Sequence, residues 1–393
     1  MNNWKSLKLS EIIVEIESGS RPKGGIEIIK NSEGVPSYGG ENILLNGGMC
    51  FKNIRYVKKD FANQMKKGVL RGGEILMNKD GAQTGKVAIY AKPLSEKIST
   101  INEHLFLLRS NEAVVDNFFL YHFLNSQKGK DQIWKIISGS AQPGLNSKFI
   151  NFIEIGVPSL TEQKKIVEIL NSIDVVINSY KEKEKTYKNL LQSMINELTT
   201  SESSPFYKVR KFGDIVENSR KKTNSHFPIY SITIDSGMVP RNQLGRSVIS
   251  DLKNEGYLYA AKGDFCYNMM RMWQGAAGVA PIDCLVSPAY VVCKPLSEVL
   301  PEYLGLICES SYSIDQFKRS SRGITSDRWR LYFDDFSKIK VSIPSLEKQQ
   351  EILDIINNQK HLLKELQKKY QLLMHLKSSL MNNLLTGLQK VGV

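Results

Sequence analysis

The sequence predicts an α+β fold of two similar domains, separated by two long antiparallel coiled-coil-like helices in a pseudo-twofold internal repeat. The first observation is a duplication, because the stretch from Pro158 to Thr200 returns from Pro344 to Thr386. The second is that the segments before the two copies share short motifs in the same order. Gapless matches through a long segment indicate a repeat. Identical pairs at this one offset are Gln163 and Gln349, Ile166 and Ile352, Ile169 and Ile355, Asn171 and Asn357, Lys183 and Lys369, and Leu198 and Leu384.

The first copy predicts one helix of unusual length. Residues 166–198 carry apolar side chains alternately four and three positions apart, and Glu184 is the only polar member of the series. This 3.5-residue period is the seam of a coiled coil. Ser159 can cap the helix, and Glu162 completes a Ser-x-x-Glu capping box. A helix that begins at Ser159 and ends at Leu198 would be roughly 60 Å long at about 1.5 Å per residue.

The second copy predicts a similar helix with a weaker start, since it keeps Ser345 as the cap but has Lys348 at the box position. Gln359 and Lys377 interrupt its apolar series over residues 352–384. Each helix presents one apolar stripe and therefore needs a partner. We expect the two copies to pack on each other as an antiparallel pair. The alternatives are two unrelated core helices, or a seam that recruits a second molecule.

Length and composition indicate a globular protein of two or three domains. The 393 residues are 41% hydrophobic and 24% charged, and no apolar run is long enough to span a membrane. Residues 1–5 lack the apolar core of a signal peptide. The five cysteines form no CxxC pair, so neither a zinc site nor a disulfide framework is indicated. We expect a cytoplasmic protein with buried thiols.

The repeat divides the chain into four parts. We predict a first globular domain over residues 1–157, a helix and linker over 158–203, a second domain over 204–343, and a helix and tail over 344–393. Gly-rich turns between short strand candidates make each domain a small α+β unit. Between their shared landmarks the two domains differ greatly. This pattern suits two related domains that recognise two different targets, with drift after duplication as the alternative.

Motifs for catalysis are scarce. Residues 81–87 resemble a phosphate-binding loop, but the spacing is one residue short and no Ser or Thr follows Lys86, so we predict a turn between strands. No Rossmann glycine pattern occurs between a strand and a helix. No segment of the Asn-Pro-Pro-Tyr type used by adenine methyltransferases is present, and the five histidines show no metal spacing. A nuclease carboxylate cluster is too loosely spaced to be judged from sequence.

The charge of the chain favours a polyanionic partner. The formal net charge is +13, which is a footprint typical of nucleic-acid binding. Arginine and glutamine can bond guanine and adenine bidentately, while lysine mostly holds phosphate. The bulky segment 268–275 is the favoured contact, although Trp273 and Trp329 also fit a core. The candidate contacts are Arg21, Lys23, Lys79, Gln83, Lys86, Arg220, Lys221, Lys222, Arg271, Trp273, Gln274, Arg319, Arg322, Arg328 and Arg330.

Taken together, these features resemble the specificity subunit of a type I restriction-modification system. The residues that carry the resemblance are Pro158-Ser159-Leu160-x-Glu162-Gln163, Pro344-Ser345-Leu346-x-x-Gln349, the long helix after each, and the closing Leu384-Leu385-Thr386-Gly387. The alternation of variable domain and helix extends the resemblance over the whole chain.

The resemblance implies that each domain is a target recognition domain that reads one half of a split, asymmetric site in double-stranded DNA. The helices would set the spacing between the halves. They would also dock two methyltransferase subunits, with Gln163 and Gln349 as the residues of the docking motif, and motor-nuclease subunits would join the complex. Those partners would bring S-adenosylmethionine, ATP and magnesium. The chain itself would bind no cofactor and catalyse nothing.

Two alternatives stay open at this point. The chain could serve as the specificity subunit of a system whose partner is a fused methyltransferase-nuclease. It could instead be a non-catalytic coiled-coil assembly scaffold whose globular units bind protein. The scaffold alternative predicts that any affinity for DNA depends little on salt. A protein that contacts phosphates instead loses affinity for DNA steeply as the salt concentration rises.

Overall fold

The computed structural model describes residues 4–22, 33–44, 47–91, 98–137, 143–200, 206–244 and 256–391. The chain forms two compact units, which we call unit 1 (Met1–Tyr180 with Lys369–Val393) and unit 2 (Lys181–Lys368). Each unit contains one globular domain and one portion of each long helix. The predicted fold class, two similar α+β domains with long helices, is therefore confirmed. No helix among the described residues combines the length and apolar character that a membrane crossing requires.

The described part of unit 1 contains short strands, short helices, the start of one long helix and the end of the other. Its strands and helices, in chain order, are β1 (Lys5–Lys8), α1 (Leu9–Ile12), β2 (Ile13–Ser18), β3 (Gly34–Tyr38), β4 (Arg55–Lys58), α2 (Lys59–Gln64), β5 (Val69–Leu70), β6 (Glu74–Asn78), β7 (Val87–Tyr90), β8 (Ser99–Ile101), β9 (Leu105–Ser110), α3 (Asn117–Asn125), α4 (Gln127–Ile136), β10 (Glu154–Val157) and α5 (Leu160–Thr199).

The central sheet of unit 1 is buried on both faces. Its strand order is β2-β9-β6-β7, with every neighbouring pair antiparallel. Successive side chains of a strand point to opposite faces. In β6, Ile75 and Met77 accordingly join the cluster that includes α3, while Leu76 joins a second cluster. That second cluster lies against the sheet β4-β3-β8-β5, in which β3 and β8 run parallel. The ends of the buried strands are therefore held rigidly.

Unit 2 repeats this plan. Its strands and helices are β11 (Tyr207–Lys211), α6 (Phe212–Ile215), β12 (Val216–Ser219), β13 (Ile229–Thr233), β14 (Gly237–Pro240), β15 (Leu258–Ala260), β16 (Phe265–Asn268), β17 (Ala277–Val279), β18 (Cys284–Val286), β19 (Tyr290–Pro295), α7 (Pro301–Glu309), α8 (Ser311–Ser320), α9 (Phe333–Phe336), β20 (Lys340–Pro344) and α10 (Leu346–Leu385).

The sheets of unit 2 match those of unit 1 strand for strand. The central sheet is β12-β19-β16-β17 and the second is β14-β13-β18-β15, with β13 and β18 parallel. The strand that enters each domain pairs antiparallel with the strand before the long helix, as β1 with β10 and as β11 with β20. The prediction of buried thiols is confirmed for four of the five cysteines, while Cys50 is half-buried.

Within unit 1, the first part of α5 packs antiparallel on the last part of α10. Ile166 shares a buried cluster with Met381 and Leu384. Lys377, which interrupts the predicted apolar series, donates from Nζ to Asp174 Oδ1 at 2.5 Å. The interruption is thus a polar pair placed inside the helix seam.

Within unit 2, the remaining parts of the two helices also pack antiparallel. Gln367 Nε2 donates to Glu184 Oε1 at 3.0 Å, and the Tyr187 hydroxyl donates to Gln359 Oε1. Both polar positions of the predicted seam therefore bond across the helix pair. The antiparallel arrangement predicted from the repeat is confirmed in each unit. Leu362 and Leu376 lie near Gln359 and Lys377 in sequence. They are 53% and 49% exposed, so they do not take the place of these residues in the seam.

One buried glutamine ties each long helix to its domain. In unit 1, Gln163 Oε1 accepts from the Asp116 N–H at 2.7 Å, and Nε2 donates to the carbonyls of Val114 at 3.0 Å and Pro158 at 2.9 Å. The side chain is 0% exposed. It therefore joins the first turn of α5 to the loop that precedes α3.

Gln349 repeats these bonds in unit 2. Its Oε1 accepts from the Leu300 N–H at 2.8 Å, and its Nε2 donates to the carbonyls of Glu298 at 2.9 Å and Pro344 at 3.0 Å. It is likewise 0% exposed. We call the two glutamines with their backbone partners the glutamine staples. Every polar atom of both amides is buried and bonded inside the domain, so the structure gives both side chains an internal role. Docking of a partner by these residues stays a prediction.

We expect Gln349→Leu to lower the free energy of unfolding of unit 2 by about 3 kcal/mol. The leucine would leave the Leu300 N–H and two carbonyls buried without partners, and an unsatisfied buried polar group costs about 1–3 kcal/mol. Denaturant titration of the full chain measures the effect. Gln350→Leu is the matched control, since Gln350 is exposed, and its change should stay within about 0.5 kcal/mol. Equal stabilities of the two variants would contradict the staple.

Candidate nucleic-acid interface

Four segments of unit 1 meet at one end of its central sheet. We call them corner 1: residues 18–21 after β2, 78–86 after β6, 102–104 before β9, and 143–145. Lys79 connects them, because its Nζ donates to Ser18 Oγ at 2.8 Å and its N–H donates to the His104 carbonyl at 3.0 Å. Its own carbonyl accepts from the Leu145 N–H at 2.7 Å. The corner is therefore built of loops fixed to rigid strand ends.

Unit 2 builds the same corner from the equivalent segments. Corner 2 comprises residues 219–220 after β12, 268–275 after β16, 287–290 before β19, and 322–331. The Leu331 N–H donates to the Met269 carbonyl at 2.9 Å, which repeats the bond from Leu145 to Lys79. A cleft of about 520 Å³ opens there, and its lining includes Arg220, Tyr290 and Arg322. Residues predicted from widely separated parts of the sequence are thus brought together.

Corner 1 presents a polar surface. Residues 81–86 form a turn between β6 and β7, as predicted, with the Thr84 N–H donating to the Gly81 carbonyl at 3.1 Å. Gln83 at this turn is exposed. Burial lowers the pKa of Lys86, which is half-buried beside it. Arg21 has a side chain 57% exposed and lies 3.8 Å from Glu103. Lys23 lies outside the described residues.

Corner 2 presents a larger and more apolar surface. The rings of Trp273 and Trp329 meet edge to face with centroids 5.3 Å apart. Trp273 Nε1 donates to the Met270 carbonyl at 3.1 Å, and Arg271 donates to Gln274 Oε1 at 3.2 Å. Both tryptophans are half-buried, so they brace the loops that carry the arginines while keeping part of each ring open. This accounts for the apolar segment beside glycines.

Some of the predicted DNA-contacting residues lie outside the two corners, and others form ion pairs with acidic side chains. Arg319 pairs with Asp315 at 2.8 Å on α8, and Arg322 donates to Asp335 at 2.6 Å. Lys221 lies beside β15, where its carbonyl accepts from Tyr259, and Lys222 follows it, exposed. The structure also adds groups to the corners that the sequence reasoning missed.

The missed groups are His104 and Ile324. His104 Nδ1 lies 2.7 Å from Asp80 Oδ1 in corner 1, and Ile324 is 94% exposed in corner 2. The signal for Ile324 was an apolar residue within a Gly- and Arg-rich segment. For His104 no spacing signal existed, because its partner lies on another loop. Among the described residues, no three His, Cys, Asp or Glu side chains are grouped to hold a metal ion.

Comparison with known families identifies the repeat. The profile of the type I restriction modification DNA specificity domain matches residues 1–187 and again residues 206–382. The chain belongs to this family. The two matches coincide with the two sets of repeated strands and helices, so both domains of the chain are members.

Curated relatives are specificity subunits. The type I restriction enzyme MjaVIII specificity subunit of Methanocaldococcus jannaschii is 26% identical over 201 residues, which is 50% of this chain and 46% of the relative. The HindI specificity subunit of Haemophilus influenzae is 29% identical over 157 residues, 38% of this chain and 34% of the relative. The chain thus spans less than half the length of these two relatives. The putative MjaX specificity subunit of M. jannaschii is 23% identical, with 98% and 93% covered.

Solved structures share the fold. A chain from a study of complex assembly and conformational transition in the type I R-M system gives a TM-score of 0.66 at 15% identity, covering 97% of both chains. The S subunit from M. genitalium gives 0.54 at 14% identity, covering 98% of this chain and 97% of its own. The HsdS subunit from Thermoanaerobacter tengcongensis gives 0.51 at 15% identity with the same coverage. At this identity the likeness shows the fold alone.

We expect Arg271→Ala and Gln274→Ala to relax recognition of one half-site only. A bidentate contact to a base discriminates by about 1–3 kcal/mol, so selectivity at the contacted base pair should fall roughly 5- to 150-fold. Competition binding with duplexes altered in either half measures this. Arg210→Ala is the control, since Arg210 lies on β11 and pairs with Glu298 at 3.1 Å. Uniform weakening on all DNA would make the two residues phosphate contacts or structural residues.

Proposed function

We propose that the chain is the DNA-reading subunit of a type I restriction-modification complex and that each corner reads one half of a bipartite, asymmetric site. The observation that carries this proposal is the equivalence of the corners. Both lie after the same strands of the same sheet, yet their side chains differ. A shared scaffold with different loops supports recognition of two different base sequences, because loops on a rigid framework commonly carry specificity.

The chemistry of the corners supports contact with DNA. Gln83 in corner 1 and Arg271 in corner 2 are exposed at the turns after β6 and β16. Amide and guanidinium groups suit base edges. The net charge of +13 supports attraction to the phosphate backbone. In corner 1 the neighbours of Gln83 are the small residues Ala82 and Thr84, whereas in corner 2 Arg271 lies beside Met270 and Trp273. This difference supports unlike half-sites.

The long helices support a spacer role. Each is uninterrupted over 40 residues, and a helix of that length measures roughly 60 Å. Half-sites one turn apart on DNA are separated by about 34–36 Å. A helix pair can fix a separation that a flexible linker would leave variable. We infer that the helices set the number of base pairs between the half-sites.

The same helices support docking of partners. Val175 on α5 and Leu372 on α10 are each 69% exposed, and Leu190 is 54% exposed. Apolar side chains left exposed on a helix can be covered by a protein partner. We infer that two methyltransferase subunits dock there, with motor-nuclease subunits beyond. The partners would supply S-adenosylmethionine, ATP and magnesium. This chain would contribute recognition and no catalysis.

Lengthening both helices tests the proposal. A heptad inserted after Tyr180 and another after Lys368, where the two units meet along the chain, adds about 10 Å to each helix and keeps its apolar face in register. The wild-type and lengthened chains are each co-expressed with the methyltransferase subunit, and adenine methylation of the host DNA is mapped at base resolution. We expect one split motif for the wild type and unchanged halves with a longer spacer for the variant.

A heptad in only one helix is the control, because it breaks the pairing of Asp174 with Lys377 or of Glu184 with Gln367. We expect that variant to lose methylation. A doubly lengthened chain that methylates the original spacer would contradict the spacer role. A stable complex without any motif would contradict DNA recognition and favour an assembly scaffold.

A further inference from the structure

A short hairpin projects from corner 2. The Arg322 N–H donates to the Arg330 carbonyl at 2.9 Å, and the Arg330 N–H returns a bond of 2.9 Å to the Arg322 carbonyl. Ile324 lies in the loop closed by this pair, and its side chain is 94% exposed. Because almost none of its apolar surface is covered, contact with an apolar group of a partner would remove that surface from water and stabilise the complex.

The hairpin is held firmly at its base. Leu331, which follows it, is 0% exposed in the core of unit 2. Trp329 packs edge to face on Trp273. Gly323 has φ +147, and a Cβ there would lie 2.6 Å from the Arg328 carbonyl oxygen, so the loop closes tightly only with glycine. A tip built this way loses little conformational freedom on binding, which favours affinity.

The surroundings of the tip are cationic. The hairpin carries Arg322, Arg328 and Arg330 against the single acid Asp327, and Arg322 also bonds Asp335 outside the hairpin. Arg328 and Arg330 are exposed, and Arg271 lies exposed on the neighbouring loop of the same corner. An apolar tip with arginines around it does not fit an acidic peptide alone or an apolar protein surface alone. It fits a surface with phosphates outside and apolar groups between them, which is a groove of DNA.

We propose that Ile324 is an apolar base contact that enters the major groove and packs on the C5-methyl group of a thymine, while the neighbouring arginines hold the phosphates. This inference rests on the proposed function and adds a specificity residue to corner 2. The thymine methyl is the one apolar group that the major groove presents, and apolar side chains read it. Ile324 would therefore distinguish thymine from the other bases without any hydrogen bond.

The test is a two-by-two comparison of protein and DNA. The full chain, wild type or Ile324→Ser, is assembled with its methyltransferase subunits and titrated at fixed salt against duplexes carrying the mapped motif. One duplex contains thymine, and the other contains uracil throughout, which lacks only the methyl group. Burial of one methyl-sized group changes an equilibrium constant about fourfold. We expect the wild type to bind the uracil duplex about fourfold more weakly. The serine variant should bind the thymine duplex at least about fourfold more weakly than wild type and should lose nothing further on uracil.

Ile282→Ser is the matched control. Ile282 is 45% exposed and lies before β18, at the end of that strand away from corner 2. We expect this variant to behave as wild type on both duplexes. Thermal unfolding of both variants should match wild type, because neither side chain is buried.

Two outcomes would overturn the inference. If Ile324→Ser lost the same additional factor on uracil as wild type, the isoleucine and the methyl group would not be in contact. If uracil had no effect and a 2-aminopurine in the half-site brightened only with wild type, Ile324 would unstack bases instead. Failure of the proposed function is distinguishable, since the wild-type complex would then show no preference for the motif over scrambled DNA.

Discussion

The glutamine staples are the constraint on which the rest of the structure depends. In each unit one amide makes three hydrogen bonds, two to the loop before α3 or α7 and one to the carbonyl of the proline that precedes the long helix. Buried amides of this kind are costly when any bond is missing, so they specify one geometry. Because Gln163 and Gln349 repeat the geometry, each domain meets its helix in the same way. A rotation or slip of the helix start would leave several buried backbone groups without partners.

Beyond this junction, the central sheet is the next rigid part of each domain, and the loops of the corners lie at its edge. The central sheet is buried on both faces, and β6 and β16 end at their asparagines, where the two corners begin. Side chains can differ freely at the turns beyond, since the strand ends are held by the two clusters on either side. The same construction allows Gln83 in one corner and Trp273 in the other without any change of topology. Similar frameworks with dissimilar turns are what recognition of two unlike half-sites requires.

The helices and the duplication could be predicted from sequence because both depend on periodic patterns. The seam from Ile166 to Leu198 and its copy predicted the antiparallel pairs. The polar positions Glu184 and Lys377 each bond across a pair, Glu184 with Gln367 and Lys377 with Asp174. The sequence predicted individual residues of the corners but not that they lie close together. Arg220 and Arg322 are far apart in sequence, and only the sheet brings them to one cleft. The internal bonds of Gln163 and Gln349 could not be predicted from sequence, because a repeated polar residue at a helix start is equally consistent with a docking site and with an internal bond. Ile324 was missed because its Gly- and Arg-rich surroundings suggest a loop but do not reveal that the side chain is 94% exposed.

The central claim is that the two corners face different halves of one DNA site. Site-specific crosslinking tests it most directly. A photoreactive amino acid is placed at position 83 in one chain and at position 274 in another, each assembled with the methyltransferase subunits on a duplex carrying the methylated motif. The claim predicts that the first chain crosslinks to bases of one half-site and the second to bases of the other. Crosslinks from both positions to the same half, or from neither position to the motif, would contradict it.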